Sequence, residues 1–361
     1  MTDQATVEVA FDEADLAALR ESIVAVLTEQ CDSLAVHGFI DGKNQLDRSL
    51  WQQAAELGWL AVALPEEFGG LNMGVRGLDV LHAELGRHMA PGPFIATLSA
   101  AHALAVAGDE AIKQAWLPRV AAGEASLAVP AVLAGPSGGK MALLGAADAA
   151  AALLPHEGGG WSMVELPEGA ATPIAMWDRT RAVIEVNTAQ LPPGTPLGEG
   201  AGNALTLAMA LAVAADSLGG AERISSQTIE YLKTRQQFGK PLASFQALKH
   251  RSADLVALGV LSEQTVTNGV EAVANRDPDA LIWAMMAKSE VVDGYIFTAA
   301  DCIQLHGGVG FTWEFDPHIH LKRARMNEML VANNPAARDM AAEQLAIATR
   351  AGRSTLELPS V

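Results

Sequence analysis

Arg235-Gln236-Gln237-Phe238-Gly239-Lys240-Pro241-Leu242 is the stretch that decides how the rest of this sequence is interpreted. It combines a guanidinium, two amides, an aromatic ring and a Gly/Pro turn between two long helical patterns. An arginine beside free backbone N–H groups suits a phosphate or pyrophosphate, because the guanidinium can bind such an oxyanion through two hydrogen bonds. Taken alone, the stretch is explained equally well as an interhelical turn whose arginine pairs with a carboxylate.

A second motif, Gln304-Leu305-His306-Gly307-Gly308, follows another helical pattern. Glycine lets a bound group approach the backbone closely, so two glycine-bearing turns in one helical region favour a ligand site. The run is not a dinucleotide-binding fingerprint, since no strand pattern precedes it and no βαβ pattern follows it. As a lone motif it is equally compatible with a plain helix cap.

The composition favours a helical protein that does not bind nucleic acid. Half of the 361 residues are hydrophobic, with Ala and Leu dominant and only 5% aromatic, which favours packed helices over a sandwich or barrel. The length suits two or three domains. The formal net charge of −18 argues against a nucleic-acid partner, because phosphate backbones are bound by clustered basic surface.

Metal, membrane and export features are not indicated by the sequence. Cys31 and Cys302 are far apart and lack metal-ligand spacing, so neither a disulfide framework nor a metal site is predicted. The first residues have no basic segment followed by an apolar core, so we expect no signal peptide and a cytoplasmic location. Residues 204–215 form the most apolar run, which is too short to span a bilayer and predicts a buried helix.

The composition and periodicity of the sequence change twice along the chain, which predicts three domains. Residues 1–128 carry helical patterns and form an N-terminal helical domain. Residues 129–200 are rich in Gly and Pro, with candidate strands at 162–166 and 182–186, and form a small, shortened middle β domain. Residues 201–361 return to helix and predict an antiparallel bundle. Its later helices are expected over residues 245–272, 279–305 and 334–350.

Together the motifs resemble the acyl-CoA dehydrogenase family of flavoproteins. The resemblance runs over nearly the whole chain and includes Glu56-Leu57-Gly58-Trp59, Glu84-Leu85-Gly86-Arg87 and Trp116-Leu117-Pro118, as well as the two turns above. It implies a mostly α fold, with N-terminal helices, a middle β domain and a C-terminal four-helix bundle. It also implies α,β-dehydrogenation of an acyl-CoA thioester: a carboxylate removes the α-proton, and the β-hydrogen passes as hydride to FAD. An electron acceptor such as an electron-transfer flavoprotein would reoxidise the flavin.

The resemblance assigns cofactor contacts to both turns. It implies that Arg235, Gln237 and Phe238 contact the ADP portion of an FAD that is bound mainly to a neighbouring subunit. Gln304 and Gly308 match further family contacts with the cofactor across the subunit interface. Gln246 occupies a position that often supports this site.

The middle domain departs from the family pattern. Family members carry a Thr/Ser-rich stretch with Glu-Pro and Gly-Ser-Asp, which lines the flavin ring and the thioester. Residues 129–139 correspond to that stretch and lack the pattern. This chain is therefore expected not to hold a flavin ring and an acyl-CoA by itself.

The catalytic base is the second departure. Ungapped counting places the two family positions of the base near Val331 and Met209, neither of which can abstract a proton. Glu328 is the nearby carboxylate in the loop and fits the pattern poorly. Asp216 lies two helical turns after Met209 on the same face, so it is our candidate base. The alternative is a structural Asp216 paired with Arg223 or with a helix of a neighbouring subunit.

These departures lead to one main hypothesis and two alternatives. The main hypothesis is a subunit that pairs with a second, more complete acyl-CoA dehydrogenase-like chain and completes the FAD site of that partner. This chain's missing elements resemble those of unlike subunits in bacterial enzymes acting on bulky sterol- or bile-acid-derived CoA thioesters. The alternatives are a self-sufficient homotetramer with Asp216 or Glu328 as an unusual base, and a structural or regulatory paralogue without flavin.

Overall fold

The N-terminal third of the chain is helical. The computed structural model describes residues 12–42, 47–133, 139–156 and 159–354. The first helices are α1 (Glu13–Gln30), α2 (Ser33–Asp41), α3 (Arg48–Glu56), α4 (Gly74–Arg87), α5 (Phe94–Ala107) and α6 (Glu110–Ala121). Four of them begin after an aspartate whose carboxylate accepts hydrogen bonds from first-turn N–H groups: Asp12, Asp32, Asp47 and Asp109. These caps satisfy backbone donors that have no partner within the helix.

A seven-stranded sheet follows. Its strands are β1 (Leu127–Pro130), β2 (Lys140–Leu144), β3 (Ala151–His156), β4 (Gly160–Glu165), β5 (Ala171–Ile174), β6 (Val183–Asn187) and β7 (Thr195–Pro196). The spatial order is β5-β6-β2-β1-β3-β4-β7, and only the described β1–β3 pair is parallel. β1 is buried at every position because it lies in the middle of the sheet. The two candidate strands correspond to β4 and β6.

The C-terminal part is a helical bundle built around one long helix. Its elements are α7 (Ala201–Thr234), β8 (Gln236–Gln237), β9 (Lys240–Pro241), α8 (Gln246–Ala274), α9 (Ala280–His306), α10 (Pro317–Met329) and α11 (Asn334–Arg350). α7 is long and apolar enough to cross a membrane, but 89% of its apolar window is buried within the fold. It is therefore a core helix, and it shares one apolar cluster with residues of α5, the sheet and α9.

The predicted architecture is confirmed, with N-terminal helices, a middle sheet and C-terminal helices. The domain boundaries at residues 128/129 and 200/201 stay predictions, and β1 already begins at Leu127. Two helices, α2 and α10, were not expected from the sequence. α10 was missed because its buried residues include His318, His320, Arg323 and Asn327, so its inward face does not read as apolar.

Two glycines allow α4 and α7 to cross in close contact. A Cβ built on Gly86 of α4 would lie 2.0 Å from the carbonyl oxygen of Asp216, and one on Gly219 of α7 would lie 1.8 Å from that of Ala83. No side chain fits at either position without moving a helix backbone. This crossing places Asp216 in the interior, next to the end of α4.

Candidate functional site

The stretch after α7 forms a tight hairpin. Gln236 pairs with Pro241 and Gln237 with Lys240, so Phe238 and Gly239 form a two-residue turn. Both turn residues have positive φ, +53° for Phe238 and +77° for Gly239, as a type I′ turn requires. Glycine and asparagine suit such positions, and a bulky aromatic residue in this region is uncommon. The hairpin thus holds Phe238 in an unfavourable backbone conformation.

The hairpin side chains that were predicted to bind cofactor face outward. Arg235 and Gln237 are exposed, and Phe238 is 90% exposed. The Arg235 guanidinium forms no ion pair or hydrogen bond with any residue that the structure describes. The Phe238 ring makes an edge contact with the ring of Phe245, with centroids 6.1 Å apart. The alternative explanation of the turn was that Arg235 pairs with a carboxylate. No such pair exists among the residues that the structure describes.

Tyr231 and His306 bring the two sequence motifs together. Tyr231 lies one helical turn before Arg235, and its ring stacks on that of His306 with centroids 4.3 Å apart. The Nδ1 of His306 lies 2.8 Å from the carbonyl oxygen of Cys302, and burial lowers the pKa of this histidine. His306 therefore acts as a neutral packing residue that joins the C-terminal ends of α7 and α9.

The remaining predicted cofactor residues lie at the same end of the bundle. Gln304 and Gly308, on either side of His306, are exposed. A Cβ built on Gly308 would meet no described atom within 4 Å, so a ligand can approach this backbone. Gln246 is the exposed first residue of α8, and Leu248 in the same turn packs in the apolar cluster that includes Tyr231. We call the exposed set Arg235, Gln237, Phe238, Gln246, Gln304 and Gly308 the cofactor edge.

The residue types of the cofactor edge suit the ADP portion of FAD. Arg235 supplies an unpaired cation for pyrophosphate, the glutamines supply amides for ribose or adenine, and Gly308 permits close approach. All six residues are exposed, whereas the residues of sites that hold a whole cofactor line a concave pocket. Part of the middle-domain stretch at 129–139, residues 134–138, lies outside the described residues. Within the described residues, no His, Cys, Asp and Glu side chains group so as to hold a metal ion.

Asp216 is buried, and its carboxylate accepts hydrogen bonds from two side chains of α10. It is 1% exposed, and Arg323 of α10 donates from Nε to both carboxylate oxygens at 3.2 Å, with a further contact from Nη2. Asn327 donates to Oδ2 at 2.8 Å. The expectation that Asp216 pairs with Arg223 is wrong: the partner is Arg323, while Arg223 is exposed and lines a surface cleft.

The pKa of Asp216 is unfavourable for a base. Burial alone would raise it, but Arg323 and Arg181 outweigh burial and lower the pKa to about 2. A carboxylate with so low a pKa takes up a proton poorly at neutral pH. The geometry therefore favours the structural explanation of Asp216.

The Asp216–Arg323 pair belongs to a wider polar network that joins the three parts of the fold. Nη1 of Arg323 donates to Thr180 Oγ1 at 2.9 Å and to the carbonyl oxygen of Ala90 at 3.2 Å. Arg181 pairs with Asp178 at 2.9 Å and lies 3.7 Å from Asp216. The role of Asp178-Arg179-Thr180-Arg181 was not predicted, although an Asp two residues before a Thr is typical of a side-chain-capped turn.

The two positions expected for a base are both in the apolar interior. Met209 is fully buried on α7. Val331 is 2% exposed with φ +71°, and its backbone pairs with the end of β1: its N–H donates to Ala131 at 2.9 Å and its carbonyl accepts from Leu133 at 2.8 Å. Glu328 is half-buried, and its carboxylate accepts from Arg325 at 2.9 Å.

Lys288 holds the loop that contains Val331. This lysine is fully buried on α9, and burial lowers its pKa to about 8. Its Nζ donates to the carbonyl oxygens of Glu328 at 2.9 Å and Ala332 at 2.5 Å, and to Oδ1 of Asn334 at 2.7 Å. Three acceptors match the three ammonium protons, so the loop between α10 and α11 is tied to the bundle. In the sequence, the one signal for this role is that Lys288 stands alone within an apolar helical pattern.

Comparison with known proteins establishes the family. Residues 13–124 match the acyl-CoA dehydrogenase N-terminal domain, and residues 203–346 match the acyl-CoA dehydrogenase C-terminal domain. The chain belongs to the acyl-CoA dehydrogenase family and is an oxidoreductase that acts on CH–CH bonds. The resemblance drawn from the motifs is thereby confirmed.

Individual relatives cover most of the chain. Acyl-CoA dehydrogenase IpdE2 of Mycobacterium tuberculosis is 32% identical over 314 residues, which are 87% of this chain and 92% of the relative. Among solved structures, the Tcur3481-Tcur3483 steroid ACAD superimposes with a TM-score of 0.84 at 26% identity, covering 93% of this chain and 99% of the other. The ChsE4-ChsE5 complex from Mycobacterium tuberculosis gives 0.79 at 25% identity, covering 97% and 99%.

Proposed function

We propose that this chain is the FAD-completing subunit of a heteromeric acyl-CoA dehydrogenase. Its cofactor edge covers the ADP portion of an FAD that is held mainly by a second chain of the same family. The partner supplies the catalytic base and most of the thioester pocket. The substrate class is an acyl-CoA with a bulky, steroid-derived acyl group, and an acceptor such as an electron-transfer flavoprotein reoxidises the flavin.

One contrast carries the proposal: among the described residues, the cofactor-type side chains are exposed and Arg235 has no carboxylate partner, while the base-type positions are buried or paired with an arginine. The Arg235 guanidinium has no carboxylate partner among the described residues. Phe238 is exposed and has a positive φ in the hairpin turn. Strained backbone conformations cluster at active sites and ligand-binding segments, where the surrounding structure holds them in place. Inside the chain, Met209 and Val331 carry no titratable group, and Asp216 is already neutralised by Arg323.

The solved relatives support both parts of the proposal. The Tcur3481-Tcur3483 protein is a steroid ACAD, and ChsE4-ChsE5 is a complex of two components. We infer the same pairing of unlike subunits and the same substrate class for this chain.

Arg235→Ala tests the role of the cofactor edge. In the assembled complex with the partner chain, this variant should lose flavin, because charge-assisted bidentate hydrogen bonds contribute about 1.5–3 kcal/mol. FAD affinity should fall roughly 10- to 100-fold, measured as flavin absorbance per complex after gel filtration. Arg276→Ala is the matched control, since this exposed arginine follows the opposite end of α8. Full flavin content in the Arg235→Ala complex would rule out the assignment.

The alternatives make different predictions for the same preparation. A self-sufficient homotetramer would carry one FAD per chain when expressed alone, and its turnover would be lost in Asp216→Asn or Glu328→Gln. A flavin-free paralogue would remain colourless with every partner. The proposal requires flavin only in the pair, full turnover of the pair in Glu328→Gln, and unchanged turnover per folded complex in Asp216→Asn.

A further inference from the structure

The outward side of α8 is apolar over more than two turns. Ala253, Val256, Ala257, Val260 and Leu261 are all exposed, with Val260 at 61% and Leu261 at 67%. They recur at spacings of three and four residues, so they form one stripe along the helix. The outer face of a helix at a protein surface is normally polar. We call these five residues the α8 face.

The α8 face is not the side by which α8 packs into the bundle. Leu255, Ser262 and Val266 are buried on the opposite side of the helix. Helix α9 passes beside α8 at Gly294, where an added Cβ would lie 3.4 Å from Ser262 Oγ and 3.6 Å from the Leu258 side chain. The residues that the structure describes therefore leave the α8 face uncovered. A contiguous exposed apolar surface indicates a site of protein–protein contact.

Opposite charges lie at the two ends of the α8 face. Lys249 and Glu263 are each seven residues from Val256, in opposite directions. Seven residues are almost two helical turns, so these three residues lie on nearly one line, with the charges about 21 Å apart along the axis. Both charged side chains are exposed, and neither forms an ion pair with a described residue. The apolar stripe thus has an unpaired cation at one end and an unpaired anion at the other.

This pattern is complementary to itself when two α8 helices run antiparallel. With the two-fold axis between Val256 and Ala257, Ala253 lies opposite Val260 of the copy, so a small side chain meets a larger one. Lys249 then comes within one residue of the position opposite Glu263 of the copy, and the symmetry repeats this pair at the other end. A parallel arrangement would bring like charges together at both ends. The charges therefore favour an antiparallel second copy as the occupant of the face.

We propose that two copies of this chain associate through their α8 faces, with the helices antiparallel. The apolar residues supply the buried surface, and two Lys249–Glu263 pairs fix the direction of the helices. None of the residues of the cofactor edge belongs to the α8 face. The association is therefore a property of this chain by itself, separate from the contact with a flavin-holding partner.

Sedimentation velocity of the full chain, purified without a partner, tests the apolar part of the contact. We expect a dimer, and we expect Val260→Asp to be monomeric because dimerisation would bury two unpaired carboxylates. Val260 is exposed in the single chain, so the circular dichroism spectrum of this variant should remain that of the folded protein. Val106→Asp is the matched control, since Val106 is a valine of α5 with 59% exposure, and it should remain dimeric.

Charge reversal tests the direction of the helices. Lys249→Glu and Glu263→Lys each place like charges together at both ends, which should raise the dimer dissociation constant about tenfold. An equimolar mixture of the two variants should recover the original dissociation constant, because each end of the mixed dimer again pairs a Lys with a Glu. Arg350→Glu makes the same change of charge at the exposed end of α11 and should leave the dissociation constant unaltered.

Three results would overturn the proposal: a chain that stays monomeric, a dimer that survives Val260→Asp, or a mixture that associates no more tightly than either charge variant alone. Loss of partner binding in Val260→Asp, with self-association intact, would assign the face to the partner chain instead. These measurements need neither flavin nor partner for self-association, so their failure is distinguishable from failure of the proposed function.

Discussion

At the scale of single residues, Asp216 and Arg323 form an ion pair that is almost completely buried. A buried carboxylate needs a partner or a raised pKa, and here the partner comes from a helix 107 residues further along the chain. Asn327 and Thr180 add hydrogen bonds to the pair, so both charges are satisfied inside the fold. We expect Asp216 to determine stability more than turnover.

Replacing Asp216 with Asn should destabilise the chain strongly. The change leaves Arg323 and Arg181 buried without their counter-charge, which typically costs about 3–5 kcal/mol of unfolding free energy. Asp254→Asn, on the exposed face of α8, is the control and should change stability by less than about 0.5 kcal/mol. Urea denaturation of both variants measures the difference. Equal stabilities would contradict the structural role of Asp216.

The Asp216–Arg323 pair should make the free energy of unfolding depend on pH in the acidic range. The pKa of Asp216 is about 2 in the fold, below the value of about 3.9 of an unfolded aspartate. The stabilisation is therefore fully present above about pH 5 and is lost as pH falls through 4 towards 2. We expect the stability gap between the unsubstituted chain and Asp216→Asn to narrow over this window. A gap that stays constant from pH 7 to pH 3 would argue against the lowered pKa.

At the scale of elements, the long helices and a turn after α7 could be predicted, but the pairing of β8 with β9 and the contacts between helices could not. The unbroken apolar run of α7 and the Asn-Pro start of α11 are local signals, and α11 spans Asn334–Arg350 as expected. The partner of Asp216 depends on how α10 packs, and α10 itself has no apolar stripe. That Arg235 lacks a carboxylate partner among the described residues could not be predicted either, because it depends on which side chains lie nearby after folding.

The crossing of α4 and α7 should tolerate no side chain at Gly219. Gly219→Ala forces the two helix backbones apart, which should lower stability by about 1–3 kcal/mol or more. Gly259→Ala is the matched control within a helix, because a Cβ there meets no described atom within 4 Å. That variant should be stabilised by up to about 1 kcal/mol through helix propensity. Thermal unfolding of both variants is the measurement, and a destabilised Gly259→Ala or a neutral Gly219→Ala would count against this packing.

Substitution of Phe238 in the hairpin should have opposite effects on stability and on flavin binding. Phe238→Asn should stabilise the isolated chain by up to about 1 kcal/mol, because asparagine tolerates the positive φ of a type I′ turn. The same variant should lower the flavin content of the assembled complex, since the exposed ring is lost. Denaturation midpoint and flavin absorbance are measured on one preparation. Lower stability with full flavin content would reverse both parts of this expectation.

At the scale of the whole molecule, the chain has the acyl-CoA dehydrogenase fold, with N-terminal helices, a middle sheet and a C-terminal helical part. The polar network of Asp178, Arg181, Asp216 and Arg323 locks the sheet, the N-terminal helices and the bundle together. That rigid body positions the cofactor edge at one end of the bundle, facing outward. The family fold could be predicted from motifs along the whole chain, whereas division of the site between two chains was inferred from what the chain lacks.

Flavin stoichiometry tests the central claim most directly. The chain is purified alone and together with a partner chain of the same family, and FAD per polypeptide is determined from absorbance and protein concentration. We predict no bound flavin for the chain alone, and stable FAD with acyl-CoA dehydrogenase turnover for the pair. One FAD per chain with turnover in the absence of any partner would contradict the account.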